Sequence, residues 1–152
     1  MKSEVCLTKL SVIDDEALER AAVAHSESVL GCEFMDGAKK DLIEYIEDWN
    51  NYYGSDVFAI DASGEELSSG LMTVCSNGDG EITIEDLFVR EVARKRGIGR
   101  AAIEALASEY PDARAVKLYS LKSAEEFYQR IGFDKISPST KKHLSLWRKE
   151  LD

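Results

Sequence analysis

Cations are scarce in this chain. Only 19 Lys and Arg stand against 29 Asp and Glu, a net charge of −10 over 152 residues. So acidic a chain is a poor general binder of nucleic acid or of anionic membrane surfaces, and its balance suits cationic ligands. Cysteine is sparse too. Cys6, Cys32 and Cys75 form no C-x-x-C pair, and the two histidines, His25 and His143, lie far apart. Neither a metal site nor a disulfide framework fits that spacing; idle or buried thiols point to a reducing, cytoplasmic setting. The sequence has no apolar run of membrane length, no N-terminal signal pattern, no low-complexity tract and no solenoid repeat. What remains is ordinary globular material, 44% hydrophobic and 32% charged. Residues 1–152 are long enough for one domain with a sizeable core.

The order of elements follows from periodicity and punctuation. Residues 4–12 read as a strand. Asp14 or Asp15 can cap a helix that buries Leu18, Ala21, Ala22, His25 and Val29 and stops at Gly31. A second helix over 37–50 carries Leu42, Ile46 and Trp49 at helical spacing. Both histidines and Trp49 read as packing residues. Segments 55–61, 71–75 and 81–89 are strands, with Asn77-Gly78 and Asp79-Gly80 as hairpin signals, and they make an antiparallel meander. A helix over 98–109, a buried strand over 115–120 and a short helix opened by a Ser123/Glu126 capping box follow. Strands near 133–137 and 143–151 finish the chain. The class is α+β: a mostly antiparallel mixed sheet of about six to seven strands with one central β-α-β unit and flanking helices.

The strand over 81–89 breaks its own rhythm. Ile82 and Ile84 share a face, but the next apolar residues are Leu87 and Val89, one position out of phase. Either a β-bulge sits near Glu85-Asp86, or the strand ends early and Leu87 to Val89 pack as loop.

The few cations gather in one place. Arg90, Arg94, Lys95, Arg96 and Arg100 crowd the start of the 98–109 helix, where the helix dipole favours anions. Gly97 and Gly99 remove side chains there, so backbone N–H groups can close on a phosphate. A pyrophosphate resolves the conflict. Gly97-x-Gly99-x-x-Ala102 matches a loose dinucleotide fingerprint, but seven residues separate it from its strand and the following strand offers Lys117 and Tyr119 rather than an acid. No G-x-x-x-x-G-K-[ST] loop occurs. A basic RNA-binding loop would need interleaved aromatics that are missing.

Residues 81 to 133 resemble the GNAT family of acetyl-CoA-dependent N-acetyltransferases. Arg94-x-x-Gly97-x-Gly99 looks like the family's pyrophosphate loop. Leu87-Phe88-Val89 sits where the family's central strand binds pantetheine, and Ala124-Glu-Glu-Phe127-Tyr128-x-x-x-Gly132-Phe133 is similar to a family helix and strand. Where many members have an Asn that contacts the cofactor, this chain has Leu121.

The resemblance implies acetyl-CoA as co-substrate, no metal, and a bulged strand splayed from its parallel neighbour. It assigns Leu87, Phe88 and Val89 to pantetheine, with the Leu87 N–H polarising the thioester, and Arg94, Lys95, Arg96, Gly97, Ile98, Gly99 and Arg100 to the pyrophosphate. Tyr128 becomes the proton donor to the leaving thiolate, although helical periodicity alone makes it a core residue. Glu85 matches the acid in the E-D-L/F-F-V strand of polyamine acetyltransferases and becomes the general base. Asp86, Glu33 and Asp36 are candidates for holding a cationic acceptor. The expected activity is direct acetyl transfer to a primary amine such as a polyamine, an aminoglycoside or a lysine side chain. A protein N-terminus is the nearest alternative acceptor, and a non-catalytic acyl-CoA-binding module the alternative class. A homodimer fits family habit.

Overall fold

A computed structural model of the chain describes residues 4–33, 35–141 and 144–151. Seven strands and four α-helices follow in the order β1 (Val5–Lys9), α1 (Asp15–Leu30), α2 (Ala38–Tyr52), β2 (Ser55–Ala62), β3 (Gly70–Ser76), β4 (Glu81–Val89), α3 (Ile98–Glu109), β5 (Ala115–Leu121), α4 (Glu125–Arg130), β6 (Asp134–Lys141) and β7 (Leu144–Glu150). Single 3₁₀ turns at Glu91–Ala93 and Lys122–Ala124 precede α3 and α4. One sheet runs β1-β2-β3-β4-β5-β7-β6. All neighbours are antiparallel except β4 and β5, which are parallel and joined through α3. This is the expected α+β class, at the upper end of the expected strand count.

Two hydrophobic clusters fill the two sides of the sheet. On one side Ile98, Ala102, Ile103 and Leu106 of α3 pack on Ile82, Ile84, Val116 and Leu118. On the other, Leu18, Ala21 and Ala24 of α1 and Leu42 and Ile46 of α2 pack on Val57, Ala59 and Leu71. Each fully buried Leu or Ile contributes roughly 1.5–3 kcal/mol, so these clusters fix α3 on one face of β4 and β5 and α1 with α2 on the other face of β2 and β3.

Local signals explain most boundaries. The Asp14 side chain accepts the Ala17 N–H at 3.2 Å, and Gly31 ends α1 in the left-handed region at φ 72°. Three expectations change. Val29 is 52% exposed, because α1 runs past the edge of its cluster. His25 is buried as expected but is tied by Nε2 to Asp41 Oδ2 at 2.7 Å; His143 lies outside the described residues. The Ser123/Glu126 capping box does not form: residues 122–124 make a 3₁₀ turn and α4 starts at Glu125 without a side-chain cap. Glu125 bonds instead to Ser145 and Lys135 across the sheet, which draws its carboxyl below its usual range.

Gly70 pairs with Val89 where β3 meets the end of β4, and a Cβ there would land on the Phe88 carbonyl oxygen. Gly70→Ala must therefore push β3 off β4. It should cost about 2–3 kcal/mol, read as a lower urea midpoint at unchanged m-value.

Candidate active site

The site begins at the break in β4. Thr73 of β3 pairs with Asp86 and Val74 with Ile84, so Glu85 is the extra residue of a bulge. The bulge absorbs the phase slip. Leu87 and Val89 join Ile82 and Ile84 in the α3-side cluster, while Asp86 reaches the α2 side, where the Tyr45 hydroxyl donates to it at 3.2 Å and shares a 2.9 Å bond with Thr73. Parallel pairing of β4 with β5 runs from Glu81–Ala115 to Ile84–Leu118 and stops there. Beyond that point the strands part.

A cavity of about 240 Å³ occupies the parting, bordered by Glu85, Asp86, Leu87, Tyr119, Leu121 and Tyr128. A larger groove of about 660 Å³ continues from Leu87 and Tyr128 along Val89 and Phe127 to Arg94, Lys95, Gly97, Ile98, Gly99 and Arg100. Tyr128 and Leu87 belong to both. Tyr128 packs edge-on against Phe127 and Phe133, and its carbonyl accepts the Phe133 N–H at 3.0 Å. Burial, with the Asp86 charge second, pushes its hydroxyl above the ordinary tyrosine pKa. Glu85 and Asp86 are exposed.

The basic loop is shaped for an anion. Gly97 caps α3 at φ 77° with open space around it, and Lys95 also holds a left-handed φ of 62°. Gly99 serves a different need: a Cβ there would lie 3.2 Å from Phe127 and 3.7 Å from Val89, so the glycine lets α3 close on the groove wall. The first-turn N–H groups of a helix have no partner within the helix, and here they face a rim of cations. Arg94 lies over the Phe88 ring and donates Nε to the Val89 carbonyl at 2.9 Å. Arg96 pairs with Glu65 and Arg100 with Glu104, all on half-exposed or exposed side chains. Of these cations Arg94, Lys95 and Arg100 line the groove, whereas Arg96 lines a separate depression with Val5 and Glu104.

Arg90 leaves the set. It is only 8% exposed, and it donates Nε to Glu27 at 3.4 Å and Nη2 to Glu33 at 3.0 Å. Glu27 also accepts the Glu91 N–H at 2.8 Å. Glu33 is thus held beside the end of β4 by an ion pair that sequence spacing did not reveal, since its partner lies 57 residues away. Asp36 sits exposed in the turn before α2.

The family model described as "Acetyltransferase (GNAT) domain" matches residues 34–147, three-quarters of the chain. The chain belongs to the GNAT family. It is an acyltransferase that takes its acyl group from coenzyme A. No curated protein sequence matches it. Among solved structures, an acetyltransferase from Thermus thermophilus is similar at TM-score 0.72 and 17% identity, covering 97% of each chain. PaiA N-acetyltransferase from Thermoplasma acidophilum, in complex with coenzyme A, is similar at TM-score 0.62 and 16% identity, covering 96% of this chain and 98% of that one. Apo FdhC, a nucleotide-linked sugar GNAT, is similar at TM-score 0.70 and 12% identity, covering 99% of this chain and 89% of the other. Among the described residues of this GNAT protein, no helix is long and apolar enough to cross a membrane, and no cluster of ligating side chains suits a metal ion.

Arg90 also gives a stability test. Arg90→Ala leaves the largely buried Glu27 carboxylate unpaired and should cost about 3 kcal/mol. Glu33→Gln removes only a half-exposed partner and should cost less than about 1 kcal/mol. Thermal unfolding of the two variants at pH 7 checks the ratio.

Proposed function

We propose that this GNAT protein is an N-acetyltransferase that moves the acetyl group of acetyl-CoA directly onto a primary amine carrying positive charge, within a ternary complex. The observation that carries the reading is the cavity where β4 leaves β5, bordered at once by Glu85, Asp86 and Tyr128 and continuous with the basic groove. The pyrophosphate is assigned to Arg94, Lys95, Arg96, Gly97, Ile98, Gly99 and Arg100, and the pantetheine arm to Leu87, Phe88 and Val89. The relatives in solved structures range from an N-acetyltransferase to a nucleotide-linked sugar GNAT, so the acceptor has to be read from this chain.

The chemistry sets what each group must do. An alkylamine of pKa about 10.4 is neutral in only about one molecule in a few thousand at pH 7, a handicap of nearly 5 kcal/mol. Glu85, directly or through water, takes the proton. The amine nitrogen then bonds to the acetyl carbon while the Leu87 N–H steadies the oxyanion. As the C–S bond breaks, Tyr128 gives its proton to the thiolate and recovers one from solvent, while the nitrogen sheds its second proton through Glu85, which has passed the first to solvent, leaving the neutral amide and the CoA thiol. Its raised pKa suits a donor, because the hydroxyl stays protonated across the physiological range. Asp86, fixed by Tyr45, holds the ammonium before deprotonation. Asp36 is the more distant acid, and Glu33 acts by fixing Arg90.

Two measurements test these roles. Calorimetry should show acetyl-CoA binding far tighter than NAD or ATP, weakening as salt rises because exposed cations are screened. Thiol release under chemistry-limited conditions should fall about 100-fold in Tyr128→Phe with acetyl-CoA affinity intact. In the wild type, the midpoint for loss of the donor should lie above about pH 10, the ordinary tyrosine value, since burial raises the folded pKa. Near-normal turnover in Tyr128→Phe would make the tyrosine a packing residue.

A further inference from the structure

We propose that the acceptor is an amine bearing a single ammonium group on an apolar arm, and that the arm lies along a stripe of the sheet made by Tyr119, Leu121, Leu144 and Leu146. The proposal rests on the acetyl-transfer reading above and narrows its acceptor.

The two faces of the sheet divide the substrates. Val116 and Leu118 of β5 point to α3, on the side of the basic groove. Alternation sends Tyr119 and Leu121 to the opposite face. Helices α1 and α2 pack on that face over β2, β3 and β4. Beyond β4 it is open: Tyr119 is 51% exposed and Leu121 61%. The register sets Tyr119 beside Leu146 and Leu121 beside Leu144, so the four side chains form one patch across β5 and β7.

The patch is continuous with the chemistry. Tyr119 and Leu121 border the same cavity as Glu85, Asp86 and Tyr128. An acceptor that puts its nitrogen at that cavity from the open face must lay the rest of its body on or above this stripe.

Charge decides between kinds of body. The acids that border the cavity, Glu85 and Asp86, lie at one end of the stripe. At the other end Glu81 is taken by Lys117 at 3.7 Å and Arg148 at 3.0 Å. Glu33, a candidate for a second cation, is already paired with Arg90. A polyamine would thus carry its inner ammonium groups over leucine carbon toward the Lys117 and Arg148 cations, which repel them. An alkyl or aryl arm would bury apolar surface there.

The test is initial-rate thiol release from acetyl-CoA with ethylamine, hexylamine, 2-phenylethylamine and spermidine, on the full chain and on Tyr119→Ser and Leu121→Ser. Both positions are exposed, and circular dichroism verifies folding. The expected result is a kcat/KM for 2-phenylethylamine and hexylamine about tenfold or more above that for ethylamine or spermidine. Each substitution should lower the ratio of kcat/KM for the two armed amines to that for ethylamine about fivefold, through acceptor KM and not through KM for acetyl-CoA. Spermidine preferred, with rates indifferent to both substitutions, would overturn the stripe and leave acetyl transfer standing. Acetyl-CoA binding without thiol release for any amine would overturn the acetyl-transfer reading and this proposal together. A wild-type dimer converted to a monomer by Tyr119→Ser, in sedimentation, would assign the stripe to a second copy of the chain and overturn the acceptor.

Discussion

One inserted residue governs the site. With Glu85 extra in β4, the strand can keep Ile82, Ile84, Leu87 and Val89 on the α3 side while delivering Asp86 to Tyr45 on the other. The accompanying change of twist ends the parallel ladder with β5 at Ile84–Leu118. A sheet parted near its middle leaves backbone groups of Leu87 to Val89 without β5 partners. Such groups are costly when buried and unsatisfied, which is why the parting lies open to a cavity and not under a helix. The same break that weakens the ladder creates the cavity bordered by Glu85, Asp86 and Tyr128.

Electrostatics then separates the two ends of that opening. A chain with net charge −10 concentrates Arg94, Lys95, Arg96 and Arg100 at one helix start. One nearby arginine is spent on architecture: Arg90 is buried against Glu27 and Glu33, whereas Arg94 bonds the Val89 carbonyl through Nε and still lines the groove. Pairs such as Arg96–Glu65 and Arg100–Glu104 are exposed, so they are weak enough to yield to a phosphate.

Much of this was legible in the sequence because it was local. The phase slip between Ile84 and Leu87 pointed to a bulge near Glu85-Asp86 or an early strand end, and the structure shows the bulge, while the turn pairs located the meander. What escaped was non-local or competitive. The Arg90 pairs join residues 57 and 63 positions apart, and no periodicity encodes them. The Ser123/Glu126 box lost to cross-sheet bonding by the adjacent Glu125. Gly99 could be read as making room for an anion, and only the packed structure shows it making room for Phe127. The apolar stripe was invisible because it needs the pairing of β5 with β7, two strands that neither length nor spacing set side by side.

The end of β4 is where the two halves of the site meet mechanically. Arg90, one residue after Val89, anchors the C-terminal end of α1 and, through Glu33, the stretch leading to α2. Arg94, after a single 3₁₀ turn, folds back to bond Val89 itself, and Gly99 brings α3 against the Val89 side chain. Val89 is therefore held from the acceptor-side helices, from the basic loop and from α3 within a span of ten residues. A displacement of the basic loop cannot leave that strand end in place, and the strand end cannot move without straining a buried Arg–Glu pair. The end of β4 and the helices on the α1–α2 side of the sheet thus share one joint, so positioning on one side of the sheet constrains geometry on the other.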